Sequence, residues 1–165
     1  MFPDKPVSRN YKTKESSVSK YIQDTFSEYD WSIDKTIQDG CSKKRPDLLL
    51  DLGYQVIIIE VDENKHSAYE CSCENKRYME ISKDLNHRPI IFIRFNPDGY
   101  TSQDRTKILS CWGISNLGLS TIKKNKKREW NKRLERLKEE IEYWSNEKNK
   151  TNKTLEVIQL YYDMN

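Results

Sequence analysis

Apolar residues recur along this chain in distinct rhythms, and each rhythm predicts an element. Val56-Ile57-Ile58-Ile59 and Ile90-Ile91-Phe92-Ile93 are short unbroken apolar runs, the pattern of strands buried on both faces. Val18, Tyr21, Ile22, Thr25 and Phe26 fall at helical spacing and predict a helix over 13–29, capped by Thr13. Trp130, Leu134, Leu137, Ile141 and Trp144 step by four and three along a long helix over 123–148. That stripe is too short for a coiled-coil seam and is expected to pack on a sheet.

Weaker patterns supply the remainder. Residues 1–12, with Pro3 and Pro6, read as a loose leader. A short strand is expected over 31–37, with a turn at Asp39-Gly40. A helix over 69–85 sets Tyr78, Ile81 and Leu85 on one face and Lys76, Arg77 and Lys83 elsewhere. The strand over 89–95 then arrives after a helix, so it is expected to lie parallel to 55–62 through a right-handed crossover. A short helix over 101–110, a turn-rich stretch over 112–122 and a closing strand over 155–162 complete the reading.

The hairpin over 45–51 and 55–62 carries the most chemistry. Gly53 supplies the positive φ that a two-residue loop of Gly53 and Tyr54 needs at its first position. Leu52 then faces Gln55, and counting outward sets Asp47 opposite Glu60. Side chains alternate faces, so Asp62 points with Glu60 and Asp47. Directly opposed Cβ atoms lie roughly 5 Å apart and diagonal ones roughly 7–8 Å. Like charges so placed repel, and a hard cation such as Mg2+ between them removes the repulsion. The other reading is a solvated hairpin end with a few chance acids. Glu15 either favours the helix dipole from the first turn or reaches the hairpin acids. Arg94, inside an apolar run, is either edge-exposed or turned to phosphate or the carboxylates.

Composition sharpens this only in places. At 165 residues, 35% hydrophobic and 33% charged, the chain is expected to be one polar but globular domain. A net charge of +3 decides nothing, but its distribution does. Residues 123–138 hold nine Lys/Arg against Glu129 and Glu135, including Lys126, Lys127 and Arg128, a phosphate-facing patch by charge. No run approaches the roughly 18 apolar residues of a membrane span, and no signal-peptide core is present, so an intracellular, soluble protein is expected. Cys41, Cys71, Cys73 and Cys111 are poorly spaced for zinc and are expected to be reduced thiols.

Pro46-Asp47, a strand, a turn and a second strand ending Glu60-Val61-Asp62 resemble the PD-(D/E)XK nuclease superfamily. Asp62 stands where that pattern usually has Lys. Arg45-Pro46-Asp47 followed by Glu60-Val61-Asp62-Glu63-Asn64-Lys65-His66 is more similar to the branch of very-short-patch-repair endonucleases and EDxHD-type homing endonucleases. That branch adds a Glu from an N-terminal helix and a His after the second acid, and Glu15 and His66 match those places. The stretches Cys71-Ser72-Cys73-Glu74-Asn75-Lys76-Arg77 and Arg94-Phe95-Asn96-Pro97-Asp98 also resemble nuclease-like proteins of large DNA viruses. The likeness spans roughly residues 13–100.

The resemblance implies an α/β, restriction-endonuclease-like, three-layer α/β/α core with a central mixed sheet, an N-terminal helix and a long C-terminal basic helix. It further implies a Mg2+-dependent DNA endonuclease, with Mn2+ as a substitute, of homing or repair and recombination type. Asp47 and Glu60 would hold the metal, with Asp62 as a further ligand or as a water-orienting base in place of the missing Lys. Glu15 would orient a water, and His66 would act as general base or steady the phosphate, unless it is an ordinary surface histidine. Lys65, Lys76, Arg77, Arg94, Lys126, Lys127 and Arg128 are the expected nucleic-acid contacts, with Asn96 and Asp98 at the rim. DNA is the expected partner, with room for a homodimer and no membrane. The alternative is a catalytically inactive nuclease-fold DNA-binding or regulatory module, and a junction resolvase or repair nickase shares the same site.

Overall fold

The structure, a computed structural model, describes residues 4–33, 46–62 and 71–163, with side chains from residue 14 and, in the second helix, from residue 77. The chain runs through helix α1 (Asp4–Thr25), strands β1 (Ser32–Ile33), β2 (Leu48–Asp51) and β3 (Val56–Val61), and helix α2 (Cys71–Asp84). Strands β4 (Ile90–Phe95), β5 (Tyr100–Thr101), β6 (Lys107–Ile108), β7 (Trp112–Ile114) and β8 (Ser120–Ile122) follow. Helix α3 (Lys127–Ser145) and strand β9 (Leu155–Leu160) complete the order.

Five strands form one mixed sheet in the order β1-β2-β3-β4-β9, with β5-β6 and β7-β8 as separate two-stranded hairpins. β1, β2 and β3 pair antiparallel, whereas β3, β4 and β9 pair parallel. The parallel steps need crossovers, and α2 and α3 supply them. β3 is buried along its whole length, as its unbroken apolar run requires. Ile57, Ile59, Ile91, Ile93 and Phe95 face α1 and α3, packing with Val18, Ile22, Leu134, Leu137 and Ile141. Val56, Ile58, Ile90 and Phe92 face the other way, against Ile81 and Leu85 of α2. The result is a three-layer sandwich with helices on both sheet faces. No described helix is long and apolar enough to cross a membrane.

The hairpin register is the expected one. Leu48 faces Ile59, Leu50 faces Ile57, and the Leu52 N–H donates to the Gln55 carbonyl at 3.0 Å. Gly53 sits at φ +88°, the left-handed region the turn needs. The parallel pairing of β4 with β3 also follows the expectation, with Glu60 beside Arg94.

Three elements differ from the sequence reading. The supposed leader is helical from Asp4 onward; Pro6 lies in the first turn of α1, where no intrahelical N–H is required. The expected helix over 101–110 is instead the β5–β6 hairpin. The Ser102 N–H donates to the Thr106 carbonyl, Asp104 accepts from the Thr106 N–H, and Arg105 takes φ +66°. Such side-chain bonds to local backbone compete with a helix. The helix expected from 123 begins at Lys127, after a 3-10 turn over Lys124–Lys126. The strand over 31–37 is described only as Ser32–Ile33, and the Asp39-Gly40 turn and Cys41 lie outside the described residues.

Gln55 ties the hairpin to the C-terminal half. It is fully buried; its amide donates to the Trp144 carbonyl at 2.7 Å and accepts from the Thr151 N–H at 3.1 Å. The Tyr54 hydroxyl donates to the Ser145 carbonyl at 3.1 Å. Carbonyls that α3 cannot satisfy at its own end thus find donors in the hairpin loop. Replacing Gln55 with Leu strands a buried carbonyl and a buried N–H, so chemical denaturation is expected to register a loss of about 2 kcal/mol.

Candidate functional site

The acids converge from three elements. Asp47, one residue before β2, accepts the Val61 N–H at 2.7 Å, which fixes its carboxyl against β3. Glu15 of α1 hydrogen-bonds to Asp47, and the charge of Glu60 lies within reach of the same group. Burial, followed by the Glu60 charge, pushes Asp47 up to about 9, and Glu15 adds to the rise. Burial likewise pushes Glu60 up to about 7, against the opposing pull of Arg77. Removing carboxyls from water while crowding them favours the neutral form. Two desolvated acids in range of each other, Asp47 and Glu60, carry a strong demand for positive charge.

Guanidinium groups answer part of that demand. Arg77 on α2 pairs with Glu60, its guanidinium lying 5.6 Å from the Phe92 ring centre. Arg94 on β4 donates from Nε to Asp62 at 2.6 Å and from a terminal nitrogen to the Tyr78 hydroxyl at 2.9 Å. The Tyr162 hydroxyl donates to the same Asp62 oxygen. The Asp62 and Arg94 side chains are 3% and 6% exposed, so this pair is held away from water. Among the described residues, no group of three or more His, Cys, Asp or Glu side chains is arranged to hold a metal ion. Glu60 and Asp62 each spend an oxygen on an arginine instead.

These groups stand at the C-terminal ends of the parallel strands β3 and β4, where open α/β sheets place their ligand crevices. The next turn of chain is equally polar. Asn96 and Asp98 are buried, and Lys14 of α1 reaches Asp98 at 2.7 Å. The Ser110 hydroxyl donates to Asp98 at 3.3 Å, and Arg133 donates to the Asn96 and Asp98 carbonyls at 3.3 and 2.8 Å. Asn96 and Asp98 therefore hold the loop after β4 in place.

The expected site residues divide accordingly. Glu15, Asp47, Glu60 and Asp62 come together, with Arg77 and Arg94 between them. Lys65 and His66 lie outside the described residues, and of Lys76 only the backbone, within α2, is described. Lys127 and Arg128 are exposed at the start of α3, and Lys126 is 3.7 Å from Glu129. One member of the basic patch needs correcting: Arg133 is only 2% exposed and braces buried carbonyls, because it falls on the apolar stripe of α3. Cys111 is a buried thiol, pushed up to about 11 by burial and by its bond to Glu129. Tyr78, Tyr162 and Lys14 escaped the sequence reading. Tyr78 was visible as a helix-face residue, but nothing local announces that its hydroxyl meets Arg94.

No family model matches this chain, and neither a curated protein nor a solved structure matches it significantly.

The raised acids have a measurable signature. Folded Asp47 holds its proton up to about 9, whereas the unfolded group, with the ordinary value of 3.8, releases it near pH 4. The folded state therefore binds more protons between those limits, and stability falls as pH rises through that window. Asp47→Asn removes the titration and keeps an oxygen for the Val61 N–H. In divalent-free buffer, this variant is expected to gain at least about 1 kcal/mol over wild type at pH 8, and no advantage at pH 3. Urea melts at the two pH values check it.

Proposed function

We propose that this chain is a metal-dependent DNA endonuclease that hydrolyses phosphodiester bonds on a restriction-endonuclease-like core. The observation that carries this reading is that Asp47 meets Glu15 of α1 by a hydrogen bond and Glu60 of β3 by charge, with Asp47 and Glu60 both desolvated. Oxygen-only donors of this kind suit Mg2+, with Mn2+ as a substitute. Asp47 and Glu60 would hold the ion, with Asp62 as a third oxygen donor. When bound, it supplies the positive charge that a phosphate diester needs as it is attacked.

The chain's own residues have roles around it. Glu60 is held toward the ion by its pair with Arg77 on α2. Glu15 can orient a water beside Asp47, to which it is already bonded. Arg77 and Arg94 carry planar forks that fit phosphate oxygens as well as carboxylates, so an incoming backbone can exchange with Glu60 and Asp62 for them. The exposed Lys127 and Arg128 can extend the phosphate contact along α3, and Lys65, Lys76 and His66 keep their proposed roles in contacting or steadying the phosphate. An intracellular setting and a homodimer that cuts both strands belong to the same proposal.

The two arginine–carboxylate pairs also favour a second reading, in which the fold binds DNA without cutting it. Supercoiled-plasmid nicking with and without Mg2+ or Mn2+ separates them. Wild type is expected to nick only with the cation. Asp47→Asn and Glu60→Gln should lose at least about 10^3-fold in rate, corresponding to the several kcal/mol such an ion contributes. Wild-type nicking rates in either variant would sink the metal-site assignment. DNA retained without any cation-dependent nicking would select the binding module.

A further inference from the structure

Along the edge strand β9, and joined to Asp62 through Tyr162, lies a cleft of about 680 Å³. Its volume is in the roughly 300–1,000 Å³ range of sites that take small organic groups. Tyr100, Tyr161 and Tyr162 line it with Ser102, Gln159 and Arg136. Tyr162 belongs to both places, because its hydroxyl is bonded to Asp62. Gln159 is the β9 neighbour of Arg94, so the cleft opens directly from the charged layer.

The aromatic wall is built and held. The Tyr100 and Tyr161 rings lie 5.6 Å apart at 59°. The buried Arg133 guanidinium, which does not line the cleft, sits 5.2 and 4.9 Å from their centres and fixes them from behind. Tyr161 takes φ +67°, a left-handed conformation that costs a non-glycine residue roughly 1 kcal/mol or more. Asn96 holds it there, its amide donating to the Tyr161 carbonyl at 2.8 Å. The turn directs consecutive tyrosines to one cleft, and the same Asn96 amide also donates to the Asp98 and Gly99 carbonyls, which ties the loop after β4. An aromatic wall with amide and hydroxyl groups at its rim and one exposed arginine suits a flat heterocycle attached to a phosphate.

We infer that this cleft stacks a nucleobase from an unpaired segment of DNA, so that the preferred substrate carries single-stranded chain next to the bond held at the carboxylates. This rests on the nuclease-type reading for the position of the backbone, but its binding signature does not require cutting. Arg136 is already paired with Glu140 at 2.5 Å, so the gain comes from the base and not from added charge.

Fluorescence anisotropy in divalent-free buffer tests it with three probes: a blunt duplex, the duplex with a single-stranded tail of about six nucleotides, and the same tail built of abasic residues. The base-bearing tail is expected to tighten binding about 10-fold over blunt duplex, and the abasic tail less than about 2-fold. Tyr100→Leu should remove most of the base-dependent gain and leave blunt-duplex affinity unchanged. Equal binding of abasic and base-bearing tails, an undiminished gain in folded Tyr100→Leu, or no binding of any probe would overturn the inference. The abasic comparison uses wild type alone, so it decides even if the variant unfolds. Tail preference without cation-dependent nicking would sink the nuclease reading alone; nicking without tail preference would sink this inference alone.

Discussion

Leu52 pairs with Gln55 across the Gly53–Tyr54 turn, and the facing of Asp47 and Glu60 depends on that closure. A slip of one residue would rotate Leu48 and Leu50 out of the core and carry Asp47 to the opposite face. The register is therefore fixed by hydrophobic burial as well as by the turn. Because β3 is buried throughout, the acids that close it must be satisfied by specific partners and cannot be left to solvent. The turn determines the facing pairs, the core enforces them, and the electrostatic problem at Asp47 and Glu60 follows.

How that problem is handled distinguishes the two halves of the site. Asp62 and Arg94 form a buried pair with tyrosine hydroxyls on either side, an arrangement with nearly complete internal satisfaction. The pKa values of Asp47 and Glu60 are instead held up chiefly by burial, and the rise at Glu60 is only partly offset by its pair with Arg77. Buried charge pairs add little net stability because desolvation offsets attraction. A protein that keeps such a cluster at the ends of its central strands keeps it at an energetic disadvantage, and that cost is the physical argument for a role beyond folding.

Much of this was legible in the residues. The isoleucine runs, the hairpin turn, the parallel β3–β4 pairing and the α3 stripe all follow from periodicity and one glycine. The facing of Asp47 and Glu60 follows from counting. What escaped depends on information that local spacing does not contain. Nothing near Tyr162 indicates Asp62 as its partner, and Lys14 and Asp98 meet only because α1 packs beside the loop after β4. Arg133 looked like one more cation in a basic run; its position on the apolar stripe was the available sign that it is interior. The polar stretch over 101–110 carried helix-compatible residues, but Ser102 and Asp104 captured their own backbone first.

The two-sided grip of Gln55 on Trp144 and Thr151 has a consequence for biosynthesis. Its partners lie 89 and 96 positions further along, and the partner of Asp62 at Tyr162 lies 100 positions away. A chain emerging from the ribosome can close the β2–β3 ribbon early, since that contact is local. It cannot seal the glutamine until the end of α3 and the segment after it have arrived, nor give the aspartate its tyrosine until the segment just after β9 is in place. During translation the polar centre therefore stays wet and unfinished, and it acquires its final electrostatic character only when the sheet receives its edge strand.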